Sequence, residues 1–336
     1  RDGYGIRGED FDTETDMGND GDPADHIVIA VIDSGLDTDH EDIDYTHVLP
    51  GESFVSKATT SDKLGHGTFV TGEIIAGSDN GTGIDGIAED LYVMPLKVFS
   101  SRTTANSTII KAINYAVEQK TAFDQSEGKE GANICVINLS LGSEGSSTSM
   151  KNAVNAAIDA GIIVVCAAGN DEDDRASYPA QYAIGVGSTD TDGERSYYSQ
   201  ILAEKNGAGW ENKVWVTGPG ENYTSLWYTG EYYTGSGTSF SCPQAAALAA
   251  VAVSLCNDLT SYYAGQTDFD GNEVTTNHDA FRQLLKDTAI PMDNGLAKAS
   301  NGQDAYFGWG MIDFKKMTET LTDLEHQKGE TAQVEL

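Results

Sequence analysis

Basic residues are scarce in this chain: 20 Lys and Arg stand against 53 Asp and Glu, a formal net charge of −33. That scarcity argues against nucleic acid or an anionic membrane as partner, since both need a cationic surface. Cysteine is scarcer still. Cys135, Cys166, Cys242 and Cys256 match no zinc-site spacing and lie in apolar strand-like or helical runs, so buried free thiols are expected rather than disulfides. No apolar run approaches the ~18 residues that span a bilayer. The longest, around Ala245 to Leu255, is alanine-rich and reads as a buried helix. A secretory leader is missing and the chain opens on Arg1 rather than Met, so prior processing or recombinant expression is expected. There is no internal repeat.

What is present suffices for one substantial α/β core with surface insertions, since 336 residues fit a single large domain. Residues 1–25 read as an acidic arm: from Glu9 to Asp25 there is no Lys or Arg and too little apolar content to pack. Residues 26–316 carry the domain. Its continuous apolar runs at Ile27–Ile32, Leu91–Val98, Ile134–Leu139 and Ile162–Ala168 are the mark of strands buried on both faces. Helical patterns lie between them at Thr108–Glu118 and Met150–Ala160, and short strands are expected near Ile184–Val186 and Val214–Val216. Such alternation specifies a three-layer αβα sandwich with a mostly parallel central sheet. Residues 317–336 read as a polar, irregular, peripheral tail.

In such sheets reactive groups collect at the carboxyl ends of strands. Asp33 ends the first strand, Asn138 to Ser140 end a middle one, and Asn170 follows another. His66 lies between Gly65 and Gly67 at the expected start of a helix, and Ser239 sits in Gly237-Thr238-Ser239-Phe240-Ser241-Cys242-Pro243, ahead of the alanine-rich helix. Asp, His, Ser is one of the known chain orders for a serine-hydrolase triad. A serine hydroxyl needs a base to take its proton during attack, and that base needs an acceptor to fix its tautomer. Ser239, His66 and Asp33 suit these three roles. Taken singly, each has a plainer reading, the Asp as a turn or cap residue and the His as a loop residue.

These motifs resemble the subtilisin-like serine proteases, the subtilase family, over about residues 26–316, down to a closing Gly308-Trp309-Gly310-Met311-Ile312-Asp313. The resemblance implies a serine endopeptidase acting through an acyl-enzyme. Ala167-Ala168-Gly169-Asn170 resembles the family's oxyanion-hole motif, with the Asn170 amide as one donor and the Ser239 backbone N–H as the other. It further implies that substrate lies as an extended strand between Thr103-Thr104-Ala105 and Ser140-Leu141-Gly142. A pocket for the residue four before the cut would be lined by Phe99, Ser107, Ile110 and Leu141. The primary pocket would be walled by Ser140–Gly142 and by Ala167, Ala168 and Gly169. Three positions depart from the family pattern: Phe69, Glu73 and Phe240.

A structural calcium is also expected from the resemblance, at Asp42 with Asn80 and main-chain oxygens of the Gly77–Ile84 loop. Weaker candidates are Asp16 to Asp25 and Asp268 to Glu273. Polypeptides are the expected partners, with the chain's own propeptide or a protein inhibitor as further ones. Secretion is expected from the relatives, and an intracellular member is the alternative. The acidic run Asp171-Glu172-Asp173-Asp174 near the pocket suggests a narrow processing protease with a taste for Lys or Arg, against the plainer reading of a solvated loop. A catalytically silent peptide-binding scaffold and an esterase or ligase are the other classes. The intact Asp33, His66, Asn170 and Ser239 argue against the scaffold, and nothing in the sequence favours the esterase or ligase.

Overall fold

The structure, a computed structural model, describes residues 26–172, 176–201, 214–268, 271–292 and 302–334. Seven strands form one sheet: β1 (Val28–Asp33), β2 (Glu52–Ser53), β3 (Tyr92–Lys97), β4 (Ile134–Leu139), β5 (Ile163–Ala167), β6 (Ile184–Thr189) and β7 (Val214–Pro219). Their order is β2-β3-β1-β4-β5-β6-β7 and every neighbouring pair is parallel. The sequence thus leaves β1 toward one edge and returns to β4 on its other side. A crevice opens at that reversal, beyond the carboxyl ends of β1 and β4.

Alternation along β1 sorts its side chains to two cores. Ile29 and Val31 pack with helices α1 (His66–Ile75), α4 (Thr238–Leu255), α5 (Asn277–Thr288) and the start of α6 (Phe314–Val334). Val28, Ala30 and Ile32 pack with α2 (Asn106–Ser126) and α3 (Thr148–Asp159). The outer helices show the expected stripe: Ile109, Ala112, Ile113 and Ala116 on α2, and Met150, Ala153, Val154 and Ala157 on α3, are the buried positions. The two inner helices differ. Residues 67–75 of α1 are all buried, and α4 is apolar all round because it is enclosed. By length and composition α4 is apolar enough to cross a membrane, but 83% of it is buried inside the protein. The three-layer α/β reading holds.

Besides β2 and α5, which the sequence pattern does not mark, two features depart from expectation. Residues 223–235 form a hairpin, β8 (Tyr223–Trp227) and β9 (Glu231–Gly235), turned by positive φ at Thr229 and Gly230. Its buried Ser225 and Leu226 lie on α1, with the Ser225 hydroxyl donating to the Phe69 carbonyl at 2.7 Å. The expected irregular tail is instead helix α6, which reaches Val334. Phe314, Met317 and Leu321 are buried at helical spacing, so a thin apolar stripe outweighs the polar composition that suggested a loose end. The acidic arm 1–25 lies outside the described residues, as do Asp173, Asp174 and Arg175.

Candidate active site

The carboxyl end of β1 and the amino end of α1 are held together by close backbone approach. A side chain at Gly67 would meet the Gly35 carbonyl at 2.2 Å, and one at Gly65 would meet the Trp227 ring at 2.2 Å. Gly65 also has φ +90°, which favours glycine. The glycines flanking His66 therefore let the chain end of β1 and the hairpin crowd the histidine from two sides. The Ser34 hydroxyl accepts the Gly67 N–H at 2.8 Å and completes the clamp.

Within that clamp the Asp33 carboxylate, 1% exposed, meets His66 Nδ1 with both oxygens at 2.9 Å, while Oδ1 also accepts the Ser34 N–H at 2.7 Å. The arrangement fixes Nδ1 as the protonated ring nitrogen and leaves Nε2 with a free lone pair. Burial pulls the imidazolium pKa down, but the charge and hydrogen bond of Asp33, helped by Asp62, overcome it, so the net value lies above that of an ordinary histidine. Asp62 is itself buried and accepts from the Thr68 N–H and hydroxyl and from the Leu64 N–H. Lys97, at the end of β3, is buried beneath the same group and donates to the Ser34 and Ser61 carbonyls. Its pKa is lowered, first by burial. Neither supporting residue was singled out from sequence, and both belong to segments that meet only in the fold.

Ser239 enters from the opposite side, in the first turn of α4. Pro243 has no N–H to offer the Ser239 carbonyl four residues back. The Ser140 hydroxyl takes that place, donating to it at 2.9 Å, and Asn138 Nδ2 in turn donates to the Ser140 hydroxyl at 3.0 Å. The end of β4 thus fixes the first turn of α4. The Ser239 hydroxyl donates to the Ser140 carbonyl at 3.2 Å and is not bonded to His66 in this structure. Asn170 Oδ1 accepts from the Thr238 N–H at 2.8 Å and from its hydroxyl at 2.9 Å. With the oxygen so committed, the exposed amide presents its Nδ2 donor beside the start of α4.

Asp33 and His66 line a cleft of about 780 Å³ together with Phe99, Thr103, Thr104, Ser140, Leu141 and Gly142. Ala105 is not among its lining residues, nor are Ala167, Ala168 and Gly169. Ala167 and Ala168 are buried, and Gly169 reaches the first turn of α4 through its N–H to the Thr238 hydroxyl at 3.1 Å. Ser107 and Ile110 do not line the cleft; Asn106 and Ile109 do. The expected pair is off by one position, which on a helix is about a 100° turn away. The hairpin residues Trp227 and Tyr228 form a wall that the sequence reading lacked. In the acidic run, Glu172 pairs with Arg195 at 3.7 Å, and neither Asp171 nor Glu172 lines the cleft.

The expected calcium ligands meet, but with the wrong groups for a cation. Asp42, 1% exposed, accepts Asn80 Nδ2–H on Oδ1 and the Ile84 N–H on Oδ2, both at 2.9 Å. Asn80 Oδ1 is occupied by the Thr82 N–H at 2.7 Å. Calcium needs several oxygens turned inward, whereas N–H donors converge here, so as arranged these residues do not fit a calcium ion. In the weaker candidate, Asp268 Oδ1 accepts the Asn272 N–H, and residues 269–270 lie outside the described ones.

All four cysteines are free and buried. Burial pushes the Cys135 thiol up to about 12 and raises those of Cys166 and Cys242, which removes them as nucleophiles. Glu73, further along α1, is also buried. Burial drives its pKa well above the ordinary value, opposed only by a 3.4 Å contact from Gln244 Nε2, and Oε1 has no partner among the described residues.

Comparison with known proteins identifies the family. A family model described as the subtilase family matches residues 24–310. The chain is 32% identical over 291 residues to the major intracellular serine protease of Bacillus subtilis (strain 168), covering 82% of this chain and 80% of that protein. It is 33% identical over 237 residues to subtilisin DY of Bacillus licheniformis, covering 68% and 77%. The minor extracellular protease Epr of Bacillus subtilis (strain 168) is 30% identical over 295 residues, covering 86% of this chain and 38% of that protein.

Proposed function

The chain belongs to the subtilase family and is a serine endopeptidase, and from that premise we propose how its residues divide the reaction. Ser239 Oγ rotates from the Ser140 carbonyl toward His66 and attacks the scissile carbonyl carbon. As the Oγ–C bond forms, the Oγ proton passes to His66 Nε2, and Asp33 stabilises the imidazolium through Nδ1–H. His66 then gives that proton to the leaving amine as the C–N bond breaks. Water, deprotonated by His66, releases the acyl group in the same way. The oxyanion receives Asn170 Nδ2–H and the Ser239 N–H, the latter favoured by its place at a helix N-terminus. The Ser140 carbonyl exchanges one net hydrogen bond of about 1 kcal/mol when Ser239 rotates, a small term beside the barrier.

The observation that carries the assignment is the bidentate Asp33–His66 contact opening on a cleft lined by Ser140, whose hydroxyl and carbonyl hold Ser239 just behind the lining residues. Substrate runs as a strand past Thr103 and Thr104 on one side and Ser140 to Gly142 on the other. Its apolar side chain four residues before the cut sits on Phe99, Ile109 and Leu141, with Asn106 at the rim. A propeptide or protein inhibitor would enter by the same route. Intact mass after fluorophosphonate treatment tests the assignment: one adduct on the wild type and none on Ser239→Ala is expected. A folded wild type that takes no adduct would remove it.

For location, the intracellular alternative is the better supported. Four free buried thiols suit a reducing compartment, and the relative that shares 80% of its length with this chain is named as intracellular. Immunodetection in fractionated source cells checks this, with signal confined to the medium as the contrary outcome.

A further inference from the structure

Positive charge is scarce in this protein, yet the cleft displays two cations. Lys63 projects from the loop before α1, beside Leu64 and His66, and Arg102 from the loop before α2, next to Thr103. Both are exposed, and among the described residues neither has an ion-pair partner. Among the described residues the only carboxylate lining the cleft is Asp33, which is 1% exposed and committed to Ser34 and His66. Asp62 lies beneath but is equally buried and committed to Leu64 and Thr68. Among the described residues the cleft therefore carries two solvent-facing cations without an accessible counter-charge, in a chain with 53 acidic residues in all.

We propose that Lys63 and Arg102 make this cleft select polypeptides that carry Asp or Glu within the four residues preceding the scissile bond. The proposal rests on the endopeptidase reading and deepens it, with the opposite charge preference to the one the acidic run 171–174 suggested. The two cations belong to different loops of the cleft, so a strand lying along it presents side chains to both. The net negative charge of the protein does not cancel the effect. At physiological salt the screening length is about 8 Å, so distant acidic groups act weakly on a residue seated in the cleft. Exposed ion pairs are individually modest, which sets the expected advantage of Glu over Gln at about threefold to tenfold in kcat/KM.

The test uses the full chain and matched peptides with Glu, Gln or Lys scanned through those four positions, with cleavage followed by mass spectrometry. Wild type should favour Glu over Gln by that factor at one or more positions. The ratio should fall to about one in Lys63→Ala/Arg102→Ala, and Lys63→Glu/Arg102→Glu should favour Lys over Gln. Equal cleavage of Glu and Gln peptides by wild type, or a Glu advantage that survives in the double alanine variant, overturns the proposal while leaving the endopeptidase intact. Failure of folded wild type to cleave any peptide or unfolded casein overturns the endopeptidase reading and the preference with it.

Discussion

The two ends of α1 hold two buried carboxyl groups that are treated in opposite ways. At the amino end Asp33, 1% exposed, receives the Ser34 N–H and the His66 ring N–H. At the other end Glu73, also 1% exposed, receives one long contact from Gln244 and leaves an oxygen unpartnered. A third group nearby, Asp42, is equally buried and accepts two N–H donors. Burial is therefore not what separates a working carboxylate from a costly one. The number of donors aimed at it does. Near Asp33 and Asp42, tight turns bring backbone N–H groups to the carboxylate. Glu73 lies between two enclosed helices whose N–H groups are already used.

The largest way to break this contrast is at the amino end. Asp33→Asn should lower kcat by about 10⁴, because an amide favours the wrong imidazole tautomer. The pH–rate profile carries a second signature. In wild type His66 acts as base only above its raised pKa, so the acid limb should lie above the ordinary histidine range. In the variant it should move down. The stability linked to this pair has the opposite sense: it is full below the unfolded histidine pKa and is lost as pH rises through the raised folded value. An unshifted acid limb in Asp33→Asn would refute the role of Asp33.

Next in size is the proposed oxyanion donor. Asn170→Ala should cost about 10²–10³ in kcat with little change in KM, measured on one good peptide. A pure KM effect would move Asn170 from catalysis to binding.

At the far end of α1 the effect should appear in stability and not in turnover. Glu73 has a raised folded pKa, so wild type is free of penalty below the ordinary Glu pKa. It loses about 1.4 kcal/mol per pH unit from there up to the shifted value. Glu73→Gln should melt higher than wild type at pH 8, and the gap should close as pH falls toward 4. Thermal melts across that range check it; a constant difference would mean packing, not ionisation. The smallest expected effect is at Asp42. Because N–H donors already satisfy it, EDTA and added calcium should give the same melting temperature, and a rise with calcium would show that the loop rearranges to bind it.

Much of this was legible along the chain. The apolar runs of β1, β3, β4 and β5 revealed a parallel sheet because strands covered on both faces leave no polar alternation. Asp33, His66 and Ser239 stood out because each sits where an element meets a glycine turn; Gly35 and Gly67 proved to be sites of backbone crowding and Gly65 of crowding by the Trp227 ring, whereas Gly237 has room for a side chain. The α6 stripe of Phe314, Met317 and Leu321 was present in sequence but diluted by its polar neighbours. The hairpin of Trp227 and Tyr228 lacked a continuous apolar run. The resemblance pointed to Ser107 and Ile110, one position past the Asn106 and Ile109 that line the cleft, and on a helix one position changes the facing side.

The sequence by itself determined which groups exist, how the core alternates, and which three side chains have the chemistry for acyl transfer, since these depend on residue type and local spacing. Only the tertiary structure decided what surrounds them. Ser140 braces Ser239 across 99 residues of chain, Lys97 lies under the end of β1, and Lys63 and Arg102 meet in one cleft. Such contacts join segments whose separation in sequence carries no local signal. Their strength depends on burial and donor geometry, and neither exists until the chain has folded.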